Sequence, residues 1–186
     1  MKPQKPALLA VIAMLAGCAT APVSTLPEQF DFNRYHAVNV APVQFSPDIA
    51  GAIPDEERVS LERTFAAALN EGLPPSLQSE HVSPGIVRME VTITELNASN
   101  PTVNVLTTAL LFVPFDAGGV AFDARFYDGE SREPFAVTRY RHISTPLELK
   151  GSFKRYGHAV KAMRDWAEGL TSRLASPGPH RIAQGE

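Results

Sequence analysis

The chain has 186 residues, with 17 Lys and Arg against 20 Asp and Glu and a formal net charge of −3. That balance lacks the basic face that nucleic acid demands, and a single cysteine excludes a disulfide scaffold. The length suits one domain whose core needs neither disulfides nor a structural metal.

Lys2 and Lys5 precede an apolar run from Ala7 to Ala16, closed by Leu15-Ala16-Gly17-Cys18. A charged start, an apolar run too short to span a bilayer and small residues at the cleavage point make a secretory signal ending in a lipobox. Cys18 then begins the mature chain and carries acyl chains such as palmitate on its thiol and amine. The alternatives are an ordinary signal peptide that happens to hold a cysteine, or a short membrane anchor. Residues 1–17 contain two basic residues and no acidic one, so the mature chain carries −5. Its attachment would rest on lipid rather than on a polybasic patch.

Residues 18–34 form a lipidated N-terminus and a flexible tether, Ala/Thr/Pro/Ser-rich and without periodicity. His36 to Gln44 reads as a first strand with Val38 and Val40 on one face, and Pro42 marks an edge or a bulge. After Pro54, the acids Asp55, Glu56 and Glu57 suit the positive end of a helix. Leu61, Phe65, Ala68, Leu69 and Gly72 give that helix its buried stripe, and Pro74-Pro75 stops it.

Val87 to Ile93 alternates apolar and polar residues, a half-buried strand. Gly118-Gly119 leads into Val120–Tyr127, and Pro134–His142 returns as its hairpin partner across Asp128-Gly129-Glu130-Ser131. A last helix from about Ser152 to Ala175 carries the stripe Ala159, Met163, Trp166, Leu170 and Leu174. The expected fold is α+β: a mostly antiparallel sheet of four to five strands with two helices packed on one face. Residues 35–176 make this single domain, and 177–186 form a disordered tail.

The uncharged run Val103–Phe115 is too short and too broken to cross a bilayer. It is either a buried strand or loop, or an exposed apolar patch for a partner or the membrane surface. In the second case Leu110, Leu111, Phe112 and Phe115 are the candidate contacts.

Motifs of chemistry are missing. The sequence has no G-x-S-x-G, S-x-x-K or H-E-x-x-H pattern and no phosphate-cradling glycine loop. His36, His81, His142, His158 and His180 are scattered, with no i, i+3 or i+4 pair to share a metal. Asp116, Asp123 and Asp128 lack calcium-loop spacing, so Asp123 is expected on a solvated strand face, paired with a neighbour. Trp166 falls within a helical stripe and is expected to pack the core. No cofactor or metal is implied.

Several short segments appear in a telling order. Asn100-Pro101 is followed by Val103-Asn104, then Gly118-Gly119, then Asp128-Gly129-Glu130, then Asp165-Trp166-Ala167. Together with the lipobox and the first strand RYHAVNVAPVQF, they resemble the bacterial lipoprotein family called domain of unknown function 3313. The hairpin turn is shorter here than that family's Asp-Ser-x-x-Gly-Glu. The resemblance implies an α+β envelope lipoprotein and brings no catalytic residue with it. Ala19, where an aspartate would favour the inner membrane, implies transfer to the outer membrane of a Gram-negative cell, with the domain facing the periplasm. The function expected is non-enzymatic: binding, as an accessory to an envelope complex with a protein partner. The alternative is a periplasmic module that holds a small molecule or lipid between sheet and helices. A hydrolase would need a cleft joining a histidine to a carboxylate, such as His142 with Asp123 or Glu133.

Overall fold

The computed structural model describes residues 34–100, 102, 118–144 and 154–175, the side chains of 171–175 excepted. Cys18, Asp116, His180 and the whole of Val103–Phe115 lie outside the described residues, as does the side chain of Leu174.

Among the described residues, five strands and three α-helices follow one another as β1 (Ala37–Val40), β2 (Gln44–Phe45), α1 (Pro47–Ala50), α2 (Asp55–Gly72), β3 (Ile86–Asn97), β4 (Gly119–Asp128), β5 (Ala136–Ile143) and α3 (Gly157–Ala175). The sheet order is β1-β3-β4-β5, with β2 also paired to β3. β3 meets β4 antiparallel, as β4 meets β5, whereas β1 and β2 lie parallel to β3. A parallel pair needs a crossover, which α1 and α2 supply between β2 and β3. The architecture is therefore α+β with a mostly antiparallel sheet.

β5 starts at Ala136 rather than at Pro134, and three further boundaries differ from expectation for a local reason. The single first strand is two: it breaks at Ala41–Val43, where Pro42 has no N–H to give. Around the break Ala41 N donates to Met89 O and Ser46 N to Ile93 O, so both pieces stay on β3. β3 runs on to Asn97, because a register shift between Ile93 and Glu95 carries the pairing past the end of the strict alternation. The last helix starts at Gly157 rather than near Ser152, after a turn closed by Gly157 N on Lys154 O.

The core lies between the sheet and the α2–α3 pair. α2 contributes Leu61, Phe65, Ala68 and Leu69, and α3 contributes Ala159, Met163, Trp166 and Leu170. They cover Val87, Met89, Val91 and Ile93 of β3 and Val120, Phe122, Ala124 and Phe126 of β4. Trp166 stands edge-on to Phe122, with centroids 5.1 Å apart at 88°, and lies within 6.5 Å of the rings of Phe126 and Tyr140. Its place in the core is thus as its helical spacing predicts. Edge-to-face aromatic pairs of this kind add to the stabilisation that burial alone gives.

The two helices touch through Gly72. A Cβ there would sit 2.4 Å from the Arg164 carbonyl oxygen and 2.6 Å from the Ala167 Cβ. Gly72 ends α2 not merely as a stop signal but as the residue that lets α3 approach. Gly72→Ala is expected to lower stability by about 1–3 kcal/mol through overpacking, and Phe122→Ala by about 3–5 kcal/mol through a cavity. Urea unfolding of the chain, followed by Trp166 fluorescence, measures both.

Candidate interaction face

With α2 and α3 on one side, the other side of the β3-β4-β5 sheet carries the polar alternates of the strands. Register places them in rows: Arg88 beside Tyr127, Glu90 beside Arg125, Thr92 beside Asp123, and Glu95 beside Ala121. The rows continue onto β5 as Arg125–Val137, Asp123–Arg139, Ala121–Arg141 and Gly119–Ile143.

Charges pair off within these rows and between neighbouring ones. The Arg139 Nε donates to Asp123 Oδ1 at 3.0 Å, which places Asp123 as expected, outward and partnered. Arg141 meets Glu95 at 2.9 Å. Arg88 binds Glu90, and its guanidinium carbon lies 4.2 Å from the centre of the Tyr127 ring. The cation–π stack covers a tyrosine that is only 7% exposed although no described helix lies over it. Arg125 is exposed and makes no ion pair among the described residues. Beside these arginines, Val137 and Ile143 are 48% and 42% exposed.

The hairpin end has a different character. Asp128, Gly129 and Glu130 line an open cleft of about 460 Å³ with Val82, Ser83 and Pro84. Arg34 approaches Asp128 at 3.7 Å, and that carboxylate helps to raise the Tyr35 phenol above its ordinary value. Gly129 has a φ of 53°, a left-handed conformation that glycine adopts freely. Of the described histidines, His158 is buried at 2% exposure beside Gly118, while His142 lies on the inner face opposite Val120. Asp123 projects from the other face, and Glu133 lies beyond the far end of β5, so neither forms a dyad with His142. No group of three or more His, Cys, Asp or Glu among the described residues could hold a metal.

The sequence motifs prove to be points of close fit. The Asn100 side-chain oxygen accepts from Thr102 N at 3.1 Å, an Asx turn. Next to it, Ser99 N and Oγ donate to the carbonyls of Arg155 and Lys154, which fastens the end of β3 to the start of α3. At Gly119 a Cβ would come within 2.6 Å of the His142 carbonyl oxygen. Sequence reasoning did not find the arginine row of β4 and β5, because alternation marks those positions as solvated and not as neighbours.

With these positions in view, the comparisons have a structural footing. The family described as "Protein of unknown function (DUF3313)" matches residues 25–170. The chain belongs to that family. No curated protein matches the sequence. Among solved structures, a PelC variant from Paraburkholderia phytofirmans, a dodecamer, is 10% identical with a TM-score of 0.49, over 84% of this chain and 98% of that one. The hypothetical protein CT253 from Chlamydia trachomatis is 11% identical with a TM-score of 0.42, over 77% and 99%. XCC0632 from Xanthomonas campestris, of family DUF330, is 9% identical with a TM-score of 0.38, over 75% and 81%. Such likenesses carry over neither assembly nor activity.

Tyr127 gives this face a measurable pH signature. Burial raises its phenol above the ordinary 10.0, the Glu90 carboxylate raises it further, and Arg125 and Arg88 oppose them. Tyr35 and Tyr156 are raised too, again chiefly by burial. The folded chain keeps these protons where the unfolded chain releases them. Their contribution to stability is therefore complete below pH 10.0 and is lost as the pH climbs through the higher folded values. The urea midpoint is expected to fall between about pH 9.5 and 11. In Tyr127→Phe it should fall less steeply, with the slope from the other two tyrosines remaining.

Proposed function

We propose that this protein is a lipid-anchored lipoprotein of the Gram-negative envelope that acts by binding rather than by catalysis. Acyl chains on Cys18 hold it in the outer membrane, and the domain faces the periplasm as an accessory to an envelope assembly. The observation that carries the reading is Leu15-Ala16-Gly17-Cys18 after a basic start and a short apolar run. Membership of the family is compatible with it. No helix among the described residues is long and apolar enough to cross a membrane.

Two features support binding over chemistry. Asp123 and Glu133 are separated from His142 by the faces of the sheet and by the length of β5, so these three do not form an acid–base pair of the kind catalysis uses. The space between sheet and helices is filled by Phe65, Phe122, Phe126, Met163 and Trp166. That packing leaves the small-molecule alternative no evident volume among the described residues.

In cells, Cys18→Ala is expected to release the protein from the outer-membrane fraction, as read by sucrose-gradient fractionation. Unchanged fractionation of the variant would end the anchor reading. Cross-linking of the tagged wild-type chain, with mass spectrometry of what accompanies it, is expected to return one stoichiometric envelope protein. Absence of any protein partner, with an apolar compound seen in native mass spectra, would shift the reading to a ligand-holding module.

A further inference from the structure

We propose that the outer edge of β5 takes up an extended acidic polypeptide segment by strand addition. The inference deepens the reading of a binding domain and rests on it.

Backbone direction comes first. Ser144 N donates to Gly118 O at 2.9 Å across the β4–β5 ladder. Alternate residues of an antiparallel strand turn their N–H and C=O groups to opposite neighbours. His142, Tyr140 and Thr138 therefore face β4, and Ile143, Arg141, Arg139 and Val137 present theirs to the other side. β4 agrees, since Gly129 N donates to Ile86 O and so sets the odd residues of β4 toward β3 and the even ones toward β5. Among the described residues nothing pairs with the outer side of β5. The opposite edge is guarded: Gln78 bridges Val38, Ser79 N donates to Val38 O, and the Asn39 side chain donates to Ser79 O.

Charge then selects the occupant. The same four residues carry the exposed side chains Val137, Arg139, Arg141 and Ile143, and Arg125 stands beside Val137 on β4. On this face Arg88, Arg125, Arg139 and Arg141 stand with the carboxylates of Glu90, Asp123 and Glu95, a local cationic excess of one on a chain of net charge −3. Arg139 and Arg141 are two residues apart, about 7 Å along a strand, and an added strand with alternate carboxylates has that same spacing. A second copy of β5 is a poor occupant. In antiparallel registers centred on or between the two arginines, guanidinium would face guanidinium, and like charges directly opposite are destabilising. Main-chain bonds would supply affinity and alternate side chains specificity, as in other strand additions.

The test uses the full-length lipidated protein in detergent. The probes are a labelled ten-residue peptide alternating glutamate with valine and threonine, one of the same composition with its glutamates clustered, and phosphatidylglycerol vesicles. The alternating peptide is expected to bind at least about tenfold more tightly than the clustered one. Binding should slow amide exchange in the segment 136–144 and weaken with salt. Arg139→Gln with Arg141→Gln is expected to cost about tenfold in affinity. Arg125→Gln, which breaks no described ion pair, should weaken binding without moving the melting temperature. The proposal is overturned by equal binding of both peptides or of neither, by vesicle binding without peptide binding, or by exchange showing the outward amides of Val137, Arg139, Arg141 and Ile143 already protected in the free protein. Anchoring is read separately from the membrane fraction of the same preparation. A chain that fractionates correctly and captures a partner, yet ignores the peptide, refutes this edge and leaves the binding reading standing.

Discussion

β3 is the strand from which both halves of the sheet are hydrogen-bonded, and its two edges have opposite jobs. Up to Ile93, its even residues turn their backbone groups to β4 and its odd residues to β1 and β2. Because Val87, Met89, Val91 and Ile93 all point inward, the strand's register also decides which face the helices cover. A slip of one residue would bring Arg88 and Glu90 into the core and set the apolar row in water. The aromatic cluster about Trp166 and the close approach at Gly72 both presuppose that register.

From this constraint follows the division of labour between the two faces. One side holds almost all the buried apolar area, and α2 and α3 are fixed to it by interlocking shapes rather than by charge. The other carries ion pairs across the strands, which contribute little individually where they are exposed. Their value lies in where they leave charge unbalanced. The stacking of Arg88 on Tyr127 closes the β3 end of this face, while Arg125, Arg139 and Arg141 leave the β5 end cationic.

The short motifs that mark the family have a common physical content. Asn100 makes a turn, Gly119 lets β4 lie against the His142 carbonyl, Gly129 takes a left-handed turn and Trp166 fills the core. None of these positions brings together groups suited to proton transfer or metal binding. At these positions the family pattern describes how the domain is held together.

The sequence by itself determined the elements and their inward faces. Helical spacing marked Leu61, Phe65 and Leu69, and strict alternation marked Val120 to Phe126; both patterns follow from local backbone geometry. The proposed lipobox at Leu15-Ala16-Gly17-Cys18 likewise rests on contiguous residues alone. Tertiary structure decided what no local pattern encodes. It laid β1 and β2 parallel to β3, carried β3 through a register shift to Asn97, buried His158, and set Arg125, Arg139 and Arg141 on one corner from two strands. The reason is that alternation tells each strand which side faces water, but only pairing between strands distant in sequence decides which charges become neighbours.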